Sequence, residues 1–103
     1  MVYNLIVSEH AEELLDNLLR YLLYKLKNEQ AALHLMDSIE KIYSRLECDP
    51  YQFLECLDPY LKAKKYREAV ISGMNYVIIF QIVDNEVHIM GIFHQLENYS
   101  SKL

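Results

Sequence analysis

The stretch Asn75-Tyr76-Val77-Ile78-Ile79-Phe80-Gln81-Ile82-Val83-Asp84-Asn85-Glu86-Val87-His88-Ile89-Met90-Gly91-Ile92-Phe93 decides the fold. β-branched and aromatic residues dominate both halves, and Asp84-Asn85 between them tolerates positive φ. The pattern predicts a strand over 75–83, a two-residue turn and a last strand over 86–93. Just upstream, Ser72-Gly73 marks a turn and residues 64–71 read as a further strand.

Towards the N-terminus the period changes. Residues 2–7 are mostly β-favouring, with Tyr3, Leu5 and Val7 on one face of a short first strand. Ser8 is a good N-cap, and Glu9, Glu12 and Glu13 suit the positive end of a helix dipole. A helix is expected over 9–27, where Ala11, Leu14, Leu15, Leu18, Leu22 and Leu26 fall at helical spacing and Leu19 and Leu23 widen the stripe. Asn28 caps a second helix, expected over 29–47, with Ala32, Leu35, Ile39, Ile42, Tyr43 and Leu46 inward and Asp49-Pro50 as its stop. Two long helices joined by one or two polar residues fold back as an antiparallel hairpin. Between Asp49 and Leu61, Pro50, Pro59, Tyr51, Phe53 and Tyr60 predict an ordered loop pinned by apolar contacts. The reading is an α+β domain of order β-α-α-β-β-β, with the hairpin packed on a mostly antiparallel, twisted sheet.

A chain of 103 residues is expected to form one domain spanning 1–103. No apolar run approaches the ~20 residues that cross a bilayer, and no signal-peptide pattern opens the chain, so a cytoplasmic location with no membrane partner is expected. Cys48 and Cys56 lack the spacing of a zinc knuckle, and His10, His34 and His88 have no metal-ligand spacing; no metal or cofactor is expected. The net charge of −5 argues against a general nucleic-acid binder. The acidity is uneven: residues 1–59 balance at −6 and residues 60–103 at +1, with Lys62, Lys64, Lys65 and Arg67 as the one basic cluster.

The opening strand that ends at Ser8 with Ala11 three residues on, the Tyr66-Arg67 pair, the Asn75-Tyr76-x-Ile78-Ile79-Phe80 strand, and the strand from Val87 to His94 followed by Tyr99 together resemble the RelE/ParE superfamily of bacterial type II toxins over essentially the whole chain. The resemblance implies a toxin held in check by an antitoxin that wraps its helices and sheet, and one of two activities. One branch cleaves mRNA on the ribosome; the other, ParE-like, inhibits DNA gyrase and is no nuclease.

In a nuclease, the ribose 2′-OH must be deprotonated, charge on the phosphorane neutralised and the leaving oxygen protonated. Carried over by resemblance, Arg67 would contact a phosphate, His94 would serve as acid or base, and Tyr99 would stack on or orient the substrate. Lys62, Lys64 and Lys65 would add phosphate attraction. Glu97 would repel RNA unless it acts as the base beside an acidic His94. Two positions depart from the nuclease pattern: Val77 stands where many members carry arginine, and Gln95-Leu96-Glu97 follows the histidine where arginines are usual. The leucine surface of the first helix, Leu15, Leu19, Leu22 and Leu23, is the expected antitoxin-binding face. Three functions stay open: a ribosome-dependent endoribonuclease, a gyrase-directed toxin, and a degenerate toxin that only binds an antitoxin. For the partner, the acidic first half predicts an antitoxin segment richer in basic residues than usual.

Overall fold

The computed structural model describes residues 2–103. The strands are β1 (Asn4–Val7), β2 (Tyr66–Ile71), β3 (Tyr76–Val83) and β4 (Glu86–His94), and the helices are α1 (Glu9–Arg20), α2 (Glu29–Cys48) and the short α3 (Pro59–Ala63). The four strands form one mixed sheet in the order β1-β4-β3-β2. β4 runs parallel to β1 and antiparallel to β3, and β2 is antiparallel to β3.

The helices begin where the side chains can satisfy their free amides. Ser8 and Asn28 accept the N–H groups of Ala11 and Ala31, each at 3.0 Å. α1 stops short of the expected Lys27. Its continuation, Tyr21–Lys25, is a π-helical turn in which Leu26 N–H donates to the Tyr21 carbonyl at 3.0 Å, and Lys27 closes it at φ 51°. The wide turn keeps Leu22 in the core and swings Leu26 off the inner stripe, leaving it half exposed. The expected strand starts at 2, 64 and 75 each begin one or two residues later, at Asn4, Tyr66 and Tyr76.

Residues 49–61 are not all loop. Pro50–Gln52 forms a 3-10 turn, and α3 follows Asp58, whose carboxylate accepts the amides of Tyr60 and Leu61. The loop is pinned as expected: Phe53 meets Phe80 edge-on at 5.8 Å, and Tyr51 meets Tyr3 at 6.4 Å.

Paired residues of neighbouring strands share a face, so the register divides the sheet. Arg67, Ala69 and Ile71, Tyr76, Ile78 and Phe80, and Val87, Ile89, Ile92 and His94 look towards the helices. Tyr66, Glu68 and Val70, Val77 and Ile79, and Phe93 look to the other face, where Cys56, Leu61, Tyr99 and Leu103 pack. A bulge interrupts the β3–β4 ladder: Ile79 faces Gly91, Phe80 faces Ile89, and Met90 has no partner. β1 ends opposite Ile89, and beyond it α1 packs along β4, so Leu14 reaches both apolar clusters.

Candidate functional site

The four residues assigned to a nuclease centre fall in three places. Arg67 and His94 both lie on the helix face, but Arg67 is in the row Arg67–Phe80–Ile89 and His94 in the row Ile71–Tyr76–His94. Four residues along the strand and two strand spacings across put their backbones roughly 16 Å apart. Tyr99 is on the opposite face, its ring stacked on Phe93 with centroids 5.3 Å apart.

Each of these side chains already has intramolecular work. Arg67 donates through Nη1 to the Phe53 carbonyl at 2.7 Å and lies over the Tyr51 ring at 5.1 Å, which ties the 50–55 segment to β2. Glu97 accepts the His94 amide at 2.9 Å through Oε1 and binds Lys102 Nζ through Oε2. Burial opposes ionisation of Glu97, but the Lys102 hydrogen bond, the His94 amide and the positive charge of Lys102 outweigh it and hold its carboxyl below the usual range. A lowered pKa is the reverse of what a general base near neutrality needs.

His94 keeps the most freedom. Its ring meets Tyr76 edge-on at 5.3 Å, and Nδ1 accepts the Leu96 amide at 3.1 Å, so the neutral ring carries its proton on Nε2. His94 and Tyr76 border an open cleft of about 440 Å3 that His34 and Asn28 also line. His34, read from the sequence as a helix-flank residue, makes a 2.9 Å contact between Nε2 and the Ser72 carbonyl. Nothing in the spacing of His34 and His94, sixty residues apart, signals that they share a cleft.

The basic cluster lies at the far end of the sheet from His94. Lys62 belongs to α3, Lys64 and Lys65 form the turn into β2, and Lys65 has φ 64°. Lys64 Nζ sits 4.6 Å over the Tyr60 ring, and the hydrogen bond that its ammonium donates to Tyr60 pushes its pKa up. These cations make an exposed end patch and do not surround His94.

Val77 is fully buried in the apolar cluster of Phe93, Tyr66 and Ile79, where an arginine would have to bury its guanidinium among apolar side chains. The other face instead holds Glu68, whose carboxyl is pushed up by burial.

Of the leucines expected to meet an antitoxin, Leu15 and Leu19 are half-buried beside a cleft between α1 and α2, and Leu23 is exposed. Leu22 is corrected: at 4% exposure it belongs to the core, because the π turn directs it inward. The sequence reading missed Met36 and Tyr43 as surface counterparts of Leu15 and Leu19 across that cleft. Met36 falls one position from the inner stripe residue Leu35, and its hydrophobicity was the available signal.

Residues 5–99 match the family described as ParE toxin of type II toxin-antitoxin system, parDE. The chain belongs to the ParE toxin family. The fold agrees with a solved chain from the chromosomal ParDE toxin–antitoxin system of P. aeruginosa, at TM-score 0.71 and 17% identity, over 90% of this chain and 96% of that one. No curated protein matches this ParE-family chain. Membership supports the RelE/ParE resemblance and the expected α+β architecture, and a type II system implies an antitoxin partner. Among the described residues, no helix is long and apolar enough to cross a membrane, and no group of three or more His, Cys, Asp or Glu residues could hold a metal.

Proposed function

We propose that this ParE-family chain arrests growth by seating on a macromolecular target, with DNA gyrase the first candidate, and that it does not cut RNA. The dispersal of Arg67, His94 and Tyr99 carries this reading: phosphoryl chemistry needs its base, acid and cationic donors around one phosphate, within about 3 Å of the reacting atoms. The substitution of Val77 for an arginine, inside an apolar cluster, points the same way. The setting is the cytoplasm, with an antitoxin as inhibitor.

A second reading retains the ribosome and its mRNA as target, with His94 as acid. It is favoured by one observation, the accessible His94 ring at the mouth of the cleft it shares with His34. Catalysis there would use Tyr76 and His34 in place of Arg67 and Tyr99.

Induction in a bacterium without antitoxin separates these readings. Growth arrest with no new mRNA 5′ ends, together with loss of supercoiling by gyrase in the presence of the purified protein, is expected. New 5′ ends within translated frames that disappear in His94→Ala would replace the first reading by the second. Absence of arrest would leave a chain that only binds an antitoxin.

A further inference from the structure

Residues 17–28, from the end of α1 to the cap of α2, carry Arg20, Lys25 and Lys27 and no acidic residue. Three of the five cations in the acidic stretch 1–59 thus gather within eight positions. They stand at the tip of the helical hairpin, where the α-helical path gives way to the π turn Tyr21–Lys25. Turns of this kind are rare and recur at functional sites.

The tip is held from within and open outside. Leu22 anchors it in the core, and the Asn28 amide donates to the Leu22 carbonyl at 2.8 Å. Lys27, at φ 51°, takes a left-handed conformation in which glycine or asparagine is usual after a helix, so a long cation stands there at a conformational cost. On the outside Tyr24 is 75% exposed, and Tyr21 and Leu26 are half exposed. Burial raises the pKa of the Tyr76 phenol and Tyr21 adds to that effect, so the tip adjoins the cleft that Tyr76 and His94 border.

Arg20 pairs with Asp16 of its own helix at 3.1 Å, whereas Lys25 and Lys27 form no ion pair among the described residues. Exposed tyrosines on a fixed backbone, mixed with cations and a leucine, have the composition of the anchors of protein interfaces. Their rings lose little freedom on binding, and the free cations favour carboxylates opposite. Only three cations, with Glu29 beside them and a net charge of −5 behind them, make a poor phosphate-binding surface. A basic antitoxin segment, expected on the leucine face of α1, would be repelled by this tip, which leaves the tip to the target.

We infer that the tip of the helical hairpin, with Tyr24, Lys25, Leu26 and Lys27, is the prong that seats this chain on its target, entering an apolar pocket of a protein ringed by Asp or Glu. The inference rests on the reading of the chain as a toxin that seats on a macromolecular target, and adds the seating surface and the chemistry of the partner.

The test compares the full chain with Tyr24→Ala/Lys25→Glu, at exposed positions outside the core, and with Lys41→Glu on the outer side of α2 as the control for charge. Circular dichroism melting first shows that all three are folded. Each is then passed over immobilised DNA gyrase at 50 mM and 300 mM NaCl and induced at matched soluble levels in a bacterium without antitoxin. The double variant is expected to bind at least tenfold more weakly at low salt and to arrest no growth, while Lys41→Glu behaves as the wild type. A double variant that binds gyrase and arrests growth like the wild type would overturn the inference and leave the target reading standing. Arrest by the wild type without gyrase binding, lost in the double variant, would support the prong and replace gyrase by another protein. Binding of a 20-nucleotide dT strand by the wild type, lost in the double variant, would overturn the inference in favour of nucleic acid. A wild type that neither binds gyrase nor arrests growth would sink the target reading and the prong with it.

Discussion

The Tyr99 ring lies on Phe93 with the two planes 13° from parallel, although the two residues are separated by the end of a strand and a turn. Glu97 makes that turn: its amide donates to the His94 carbonyl at 3.1 Å while its carboxylate accepts the His94 amide, and the chain then doubles back beneath β4. The tail 99–103 thus closes the second apolar cluster, where Leu103 also packs.

Tyr99→Ala is therefore expected to lower stability by about 2 kcal/mol or more, through lost burial and a lost ring pair. Tyr99→Phe, which keeps the stack, is expected to stay within about 0.5 kcal/mol. Urea unfolding followed by circular dichroism measures both. A phenylalanine variant as unstable as the alanine one would show that the hydroxyl, and not the ring, holds the tail.

Gly91 has no room for a methyl group. A Cβ there would stand 2.6 Å from two Phe93 ring atoms and 3.2 Å from Leu14. Because Phe93 is almost fully buried, its ring cannot swing aside freely. Gly91→Ala is expected to cost about 1–3 kcal/mol and, by displacing Phe93, to loosen Tyr99. Faster amide exchange at Tyr99 than in the wild type checks the second half of that statement.

Burial pushes the Glu68 carboxyl up, so the folded state binds its proton more readily than the unfolded state. The ionised group thus lowers stability above the folded pKa, and this penalty fades as pH falls through that pKa towards the unfolded value. Glu68→Gln is expected to be the more stable protein at pH 7, with its advantage shrinking on acidification. Thermal unfolding of the pair between pH 7 and pH 4 reads the difference; an advantage that grows with acid would sink the explanation.

The two cysteines differ in reach. Cys48 is exposed, while the buried Cys56 thiol is pushed up to about 12 by desolvation, with the charges of Glu68 and Asp58 adding to it. Since the thiolate is the reactive form, a disulfide reagent at pH 8 should modify one equivalent rapidly and the second only with unfolding. Cys48→Ser should abolish the rapid phase.

Much of the architecture is legible in the residues, because the strand runs flanking Asp84-Asn85 and the leucine stripes of α1 and α2 carry unambiguous periods. α3 escaped because five residues are too few to show a helical period, although Asp58-Pro59 carries an N-cap and a proline suited to the first helical position. The π turn escaped because Leu18, Leu22 and Leu26 continue the α spacing through it. The candidate site was less legible. Alternation places Arg67 and Glu68 on opposite faces without saying which meets the helices; the bridge between Glu55 and Arg67 on the edge of β2 and the Phe53 carbonyl decide it. His94 and Tyr99 look like neighbours at five residues' separation, and the reversal at Glu97 sends them to opposite sides of the sheet.

The fourth strand in chain order is the one that belongs between the first and the third. β1 and the helical hairpin are made before Glu86–His94 exists, so their apolar faces wait without a complete sheet to cover them. Long-range pairing of this kind also folds slowly once the parts are present. The sheet thus stays incomplete until β4 has been made, and the open interval is when an antitoxin or a chaperone would meet the chain first.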